Sequence, residues 1–213
     1  MIGQRQGRDF IVRHGETVFN AARRLQGDYV HTPLTLSGFR QADAMGGKLR
    51  EILGRKPSLT LWASPTGRTL QTMAIIAEHL ELDWHGVKTD GRLREIEMGS
   101  WGGRDYDELE RDLGANRILS PCGALWPAPD GESYPDIVER VSAWLAETDG
   151  DPGDRLVVMH GISSRVMRAL MTGEIIDDDL GVPISPDLTQ GSIAVVRAGQ
   201  HELLHEGTGQ APA

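Results

Sequence analysis

The chain has a single cysteine, Cys122, among 213 residues. One thiol excludes an intrachain disulfide framework and suits a reducing compartment. Cys122 reads as a small packing residue rather than a nucleophile. Cations are scarce too: 22 Lys and Arg stand against 31 Asp and Glu, for a formal charge of −9. Nucleic-acid binding needs a basic footprint, so a broad phosphate-backbone surface is excluded. No apolar run is long enough to cross a bilayer, and the polar start Met1–Asp9 carries no secretory-signal pattern. Asp177-Asp178-Asp179 lacks the alternation and glycine of a calcium loop and reads as a solvated turn. There is no low-complexity tract. The expectation is a soluble, cytoplasmic protein with no membrane or nucleic-acid partner; oligomeric state is left open.

With 39% hydrophobic residues, a chain of this length can bury a full core as one domain, 1–213. Residues 1–8 and 207–213 read as loose ends. Phe10–Val12, Leu59–Ala63, Leu156–Met159, Ser192–Val196 and Glu202–Leu204 read as strands, the last two as a hairpin across Ala198–Gln200. Ser37 reads as a helix cap, with Phe39, Ala42, Met45, Leu49 and Ile52 following at helical spacing and Gly54 as the stop. Ser64-Pro65 opens a second helix with a stripe of Leu70, Met73, Ala74, Ala77 and Leu80. Tyr106–Leu113 is a short helix. Ser133 caps a helix lined by Ile137, Val138, Val141, Trp144 and Leu145, and Ser163–Met171 forms the last helix. Residues 98–131 read as an excursion over the sheet. Strands alternating with helices predict an α/β protein of three layers, a mostly parallel central sheet with helices on both faces.

The chemistry gathers at strand ends, where open α/β sheets bind ligands. Phe10–Val12 runs into Arg13-His14-Gly15-Glu16-Thr17, with Asn20 a turn on, and Leu156–Met159 delivers His160-Gly161. Between them Leu59–Ala63 runs into Ser64-Pro65-Thr66-Gly67-Arg68. Three strand ends thus bring two His and two Arg to one crevice. Arg offers a permanently charged fork that suits phosphate. His can serve as nucleophile, base or metal ligand near neutrality. An acidic protein that binds phosphate must concentrate its cations in one pocket. Zinc held by His14 and His160 is disfavoured, because Arg13 and Arg68 repel a dication.

Arg-His-Gly alone is a weak signal, equally the edge of a strand and a polar turn. The ordered set is another matter. Arg13-His14-Gly15-Glu16-Thr17 with Asn20, Leu25-Gln26-Gly27, Pro33-Leu34-Thr35 with Gly38 and Gln41-Ala42 are followed by Ser64-Pro65 with Arg68 and Gln71-Thr72. Leu93-Arg94-Glu95 with Gly99 and Trp101, Gly131-Glu132-Ser133 and His160-Gly161 complete it. Together these motifs, spanning about Phe10 to Val196, resemble the histidine phosphatase superfamily with its phosphoglycerate-mutase-like fold. The resemblance implies His14 as a nucleophile that forms phosphohistidine, and His160 as a stabiliser of the transferring group. It makes Arg13, Arg68 and Asn20 phosphate ligands, with Gln26 and Gly27 at the rim and Gly161 beside His160. Charge would come from Arg13, Arg68 and a protonated His160. Glu95 matches the proton donor in preference to its acidic neighbours Glu97 and Asp90. His31 departs from an acidic residue common at that place in the family.

The leading expectation is a metal-independent phosphomonoester hydrolase with no cofactor, acting on a small phosphomonoester. The first alternative is a phosphoglycerate mutase. Mutases resemble one another in paired Arg after the acidic Glu, whereas this chain has only scattered Arg104, Arg111 and Arg117 there, with Trp126-Pro127-Ala128-Pro129. The second alternative is a non-catalytic phosphate-binding or interaction module. Substrate choice is expected to fall to residues 98–131 and 25–33, with Tyr29, His31, Arg104, Tyr106 and Trp126 as candidates.

Overall fold

The computed structural model describes residues 5–114 and 117–209. Six strands form one sheet: β1 (Asp9–Arg13), β2 (Leu59–Ala63), β3 (Lys88–Thr89), β4 (Asp154–Met159), β5 (Ile193–Arg197) and β6 (Gln200–His205), in the order β3-β2-β4-β1-β5-β6. β3, β2, β4 and β1 run parallel, and β5 and β6 close the other edge as an antiparallel hairpin. The mostly parallel α/β sheet expected from the sequence is therefore present.

Residues alternate across the pleat, so each strand feeds two cores. On one face Phe10, Val12, Leu156 and Val158 pack with Met45, Leu49, Met73 and Ile76 from α2 (Leu36–Leu53) and α3 (Gly67–Leu80). On the other, Ile11, Val157 and Met159 pack with Trp144, Val141 and Val166 from α5 (Tyr134–Thr148) and α6 (Gly161–Thr172). Segment 98–131 joins this second core through Trp101, Leu109, Ile118 and Leu125, and includes α4 (Tyr106–Leu113). A four-residue helix, α1 (Val18–Ala21), follows the first strand end, capped by Thr17.

Several local expectations are corrected. α2 is capped by Thr35, whose hydroxyl accepts from the Gly38 N–H, and not by Ser37. Pro65 lies outside α3, which begins at Gly67 after Thr66. In the stripe of α3, Ala74 is exposed and Ile76 is buried. Phe39 and Ile52 lie at the edge of the α2 stripe and are partly exposed. Residues 5–8 are tied down: Arg5 donates to the carbonyls of Thr148 and Gly153, and Arg8 pairs with Asp154. The 207–209 stretch is anchored as well, with the Gly207 N–H donating to Ser192 Oγ and the Gly209 N–H to the Gln190 carbonyl. The expected loose residues 1–4 and 210–213 lie outside the described residues. Among the described residues no helix is long and apolar enough to cross a membrane.

Candidate active site

Register decides what the strand ends present. Arg13 pairs with Met159, and Ala63 with Val158, so β1, β4 and β2 finish almost flush. The ladder continues one step further, with His14 N–H donating to the Met159 carbonyl and Ser64 N–H to that of Val158. His14, Ser64 and His160 therefore emerge side by side. Gly15 owes its identity to packing rather than to a sharp turn. A Cβ there would run into the Gly38 carbonyl of α2, and one on Gly38 would run into the Glu16 carbonyl. The two glycines let the first turn of α2 lie directly on the chain beyond β1.

His14 is 3% exposed. Its Nδ1 lies 2.7 Å from the Gly15 carbonyl, which only accepts, so Nδ1 carries the proton and Nε2 keeps its lone pair. Burial, then Arg68, holds its pKa well below the ordinary imidazole value, with Arg13 adding to the effect against the Gly15 hydrogen bond. His14 is a neutral imidazole with a defined free nitrogen. Its ring meets that of His160 edge-on, centroids 5.2 Å apart.

His160 is fully buried at the start of α6, and both its nitrogens are occupied. Arg68 Nε donates to Nδ1 at 3.2 Å, which leaves Nε2 to donate to Ser64 Oγ at 2.8 Å. Burial, Arg68, His14, Arg140 and Arg13 push its pKa well below the usual value. The expected protonated His160 is corrected: in this structure it is neutral, because a proton on Nδ1 would face an arginine donor. Arg68 itself is buried and held by the carbonyls of Gly27 (2.8 Å) and Tyr29 (2.5 Å) and by Thr32 Oγ1 (2.9 Å), one Nη2 hydrogen remaining unassigned. Burial lowers its pKa to about 10.

Arg13, His14, Asn20, Gln26, Gly27 and Glu95 line one narrow cleft, closed by Ile96 and Leu125. Arg68, His160 and Gly161 stand behind it. Arg13 leaves β1 fully buried, its Nη1 donating to the Leu188 carbonyl and lying 3.4 Å from Asp187, while its Nε has no protein partner. Asn20 Oδ1 accepts from Thr17 N–H as part of the α1 cap, and Gln26 Oε1 accepts from the Thr17 hydroxyl. The donor ends of both amides are thus directed away from those bonds. Gly27 has φ +51°, and a Cβ would meet Met98 Cγ at 2.9 Å. Glu95, 5% exposed, accepts from the N–H groups of Ile162 (3.0 Å), Ser163 (2.9 Å) and Ile96 (3.1 Å). It fills the N-terminus of α6, where an anion is favoured. A carboxylate has about four lone-pair sites, so roughly one remains for a proton.

The specificity candidates spread more widely. Tyr29 packs against Phe19 and lies over Gly102 and Gly103. Arg104 pairs with Asp112, Trp126 packs into the second core, and His31 is exposed. Tyr106 is largely buried, which raises its pKa. Among the described residues of the excursion it is Leu125 that borders the cleft. Sequence reasoning missed Asp187 and Leu188, which hold Arg13; Thr72, named only as part of a motif, has a hydroxyl that accepts from Gly15 N–H at 3.2 Å. Ser64 was visible only as part of a motif; its place at a strand end was the available signal. Nothing in the sequence links Asp187 to Arg13. Among the described residues no group of three or more His, Cys, Asp or Glu could hold a metal ion.

Two buried histidines and a buried arginine where parallel strands end, a second buried arginine in the first turn of a helix, and a carboxylate that caps another helix define a class: α/β proteins with a polar cleft at the carboxyl edge of the sheet. Comparison with known proteins gives the family. A model of the histidine phosphatase superfamily (branch 1) matches residues 10–207, and this chain belongs to that superfamily. It is 40% identical over 158 residues to a probable phosphoglycerate mutase, GpmB, of Salmonella arizonae, covering 72% of this chain and 69% of that one. The GpmB of Klebsiella pneumoniae is 42% identical over 160 residues, with the same coverage. Among solved structures, Bacillus stearothermophilus YhfR superposes with a TM-score of 0.71 at 25% identity, over 97% of this chain and 98% of that one. A mycobacterial glucosyl-3-phosphoglycerate phosphatase shares the fold at 24% identity and TM-score 0.71, covering 96% and 100% of the two chains.

Proposed function

We propose that the chain is a metal-independent phosphomonoester hydrolase that works through a phosphohistidine on His14. The observation that carries this reading is the tautomer of His14: a buried, neutral ring with its Nδ1 proton on the Gly15 carbonyl and a lone pair on Nε2. In the first step Nε2 attacks phosphorus, the bond from phosphorus to the ester oxygen breaks, and that oxygen takes a proton from Glu95. The ring becomes cationic, and the Nδ1–H bond to the Gly15 carbonyl stabilises that charge. Phosphoryl transfer is mainly a matter of positioning and charge: Arg13 supplies charge from the cleft wall and Arg68 from behind the two histidines, Asn20 and Gln26 offer amide donors, and His160 can donate to the phosphate only by exchanging its bond to Ser64 for it. In the second step water attacks phosphorus, Glu95 takes its proton, and the bond to Nε2 breaks to free phosphate.

A mutase would pass the phosphoryl group to a second substrate oxygen, and the names of the 40%-identical relatives favour that reading. The surroundings of Glu95 favour hydrolysis of an ester without a carboxylate. The hollow beyond it is lined by Asp28, Glu97, Asp130 and Asp136. Its two arginines are drawn into pairs, Arg140 with Glu132 at 2.6 Å and Arg94 with Asp28 at 3.6 Å. A phosphoglycerate carboxylate would meet net negative charge there. Both His14 and Glu95 are present, which argues against a non-catalytic module. Purified protein should release phosphate from a panel of monoesters after exhaustive chelation. Isomerisation of phosphoglycerate faster than phosphate release from any monoester would replace hydrolase with mutase.

A further inference from the structure

We infer that Asp187 is a positioning residue that aims Arg13 into the cleft and tempers its hold on phosphate. This rests on the reading of the cleft as a phosphate site. Arg13 has one guanidinium nitrogen, Nη1, committed to the rear: it donates to the Leu188 carbonyl and lies 3.4 and 3.5 Å from the two Asp187 oxygens. Asp187 is itself held, Oδ1 accepting from Leu188 N–H at 2.8 Å. The opposite edge of the fork is free of protein partners at Nε, which is buried, and Arg13 lines the cleft. A buried donor without a partner is costly unless a ligand satisfies it, and the Nε–Nη2 edge is the one that grips a phosphate in two parallel bonds. Asp187 and Leu188 therefore fix which edge of Arg13 a phosphate meets.

The charge of Asp187 does something further. It is a quarter exposed, while Arg13 is 1% exposed. It places a carboxylate directly behind a cation that a dianionic product must leave. An enzyme that must release phosphate gains nothing from retaining it, and interactions made equally with ground state and transition state do not raise kcat. Asp187 offsets part of the attraction of Arg13 while leaving its geometry intact.

The test is calorimetric titration of inorganic phosphate into the full chain, which does not depend on turnover. Asp187→Asn keeps an oxygen for Leu188 N–H and for Arg13 but removes the charge, and should bind phosphate roughly three- to tenfold more tightly. In an Arg13→Ala background the same substitution should change nothing, since the effect passes through that guanidinium. Unchanged affinity in Asp187→Asn, or a shift that persists without Arg13, overturns the proposal. Asp187→Glu keeps the charge and carries the test if the Asn variant fails to fold. Its longer arm displaces the fork, so kcat should fall several-fold with phosphate affinity within about twofold of wild type; unchanged kcat overturns the proposal. Wild-type protein that binds no phosphate would instead remove the phosphate-site reading. Wild-type binding with an unaffected Asp187→Asn removes only the role of Asp187.

Discussion

The two strand–His–Gly units are nearly alike in sequence and are used in opposite ways. Both histidines are buried, neutral and placed at the ends of adjacent parallel strands. His14 spends one nitrogen on its own backbone and keeps the other free. His160 spends both, on Ser64 just beyond β2 and on Arg68 in the first turn of α3. The strand end sets where an imidazole stands; neighbours from a third segment set what it can do. The two rings are therefore not interchangeable, and the proposed division into nucleophile (His14) and stabiliser (His160) follows that difference.

The sharpest way to break this comparison is to delete each ring. His14→Ala should lose turnover by roughly 10⁴-fold or more and fail to take up label from a phosphomonoester, because among the described residues His14 is the only imidazole that lines the cleft. His160→Ala should slow labelling but still label, in an acid-labile, alkali-stable form on His14. Label retained in the His14→Ala protein would exchange the two roles.

Glu95→Gln comes next. Alkyl esters leave as basic alkoxides and need a proton, so their phosphorylation step should slow by ~10²–10⁴-fold, and that of activated aryl esters far less. Single-turnover rates measure this step apart from hydrolysis of the intermediate. Equal slowing for both ester classes would make Glu95 a cap of α6 and nothing more. Ser64→Ala should have a smaller effect, about tenfold in kcat/KM, by releasing His160 Nε2 from its partner while His14 stays as it is. If the two rings were equivalent, Ser64→Ala would change nothing.

Much of this arrangement was legible in the sequence because strand ends and helix starts have local signatures. Apolar runs that stop at His-Gly, and Ser133 ahead of the stripe Ile137, Val138, Val141, Trp144 and Leu145, carry their own evidence. The family resemblance placed Arg13, His14, Asn20, Gln26, Gly27 and Glu95, which the structure brings to one cleft. What was not legible depends on partners far along the chain. The protonation of His160 turns on an arginine 92 positions away. Arg13 turns on Asp187, 174 positions away, in a loop without periodicity. The glycine of Arg-His-Gly was legible as a glycine but not for its reason, a helix backbone resting on it. The cap of α2 shifted by two residues because Thr35 and Ser37 compete for the same role, while α3 starts after Thr66, whose side chain makes no capping bond.

The smallest expected effect is on stability, and it tests the neutrality of both rings without any substrate. Unfolded, each histidine titrates near its ordinary value of about 6.5. Folded, burial and nearby arginines hold both pKa values well below that. Above about pH 6.5 both states are neutral, and pH has no grip on stability through these groups. As pH falls below it, the unfolded chain takes up protons that the native site refuses, so stability declines until the folded pKa is reached. Carboxylates held low by their partners, such as Asp90 and Glu81, add their own losses only near and below about pH 4.5, so the interval from pH 6.5 to about 5 reports mainly on histidine. Urea midpoints should fall across that interval in the wild type and fall less in His14→Asn and in His160→Asn. Saturating phosphate should reduce the loss, since a dianion in the cleft beside His14 favours protonation of the imidazoles in the native state. A wild-type midpoint that stays flat from pH 7 to 5 would mean that the rings titrate alike in both states, and the neutral nucleophile would go with it.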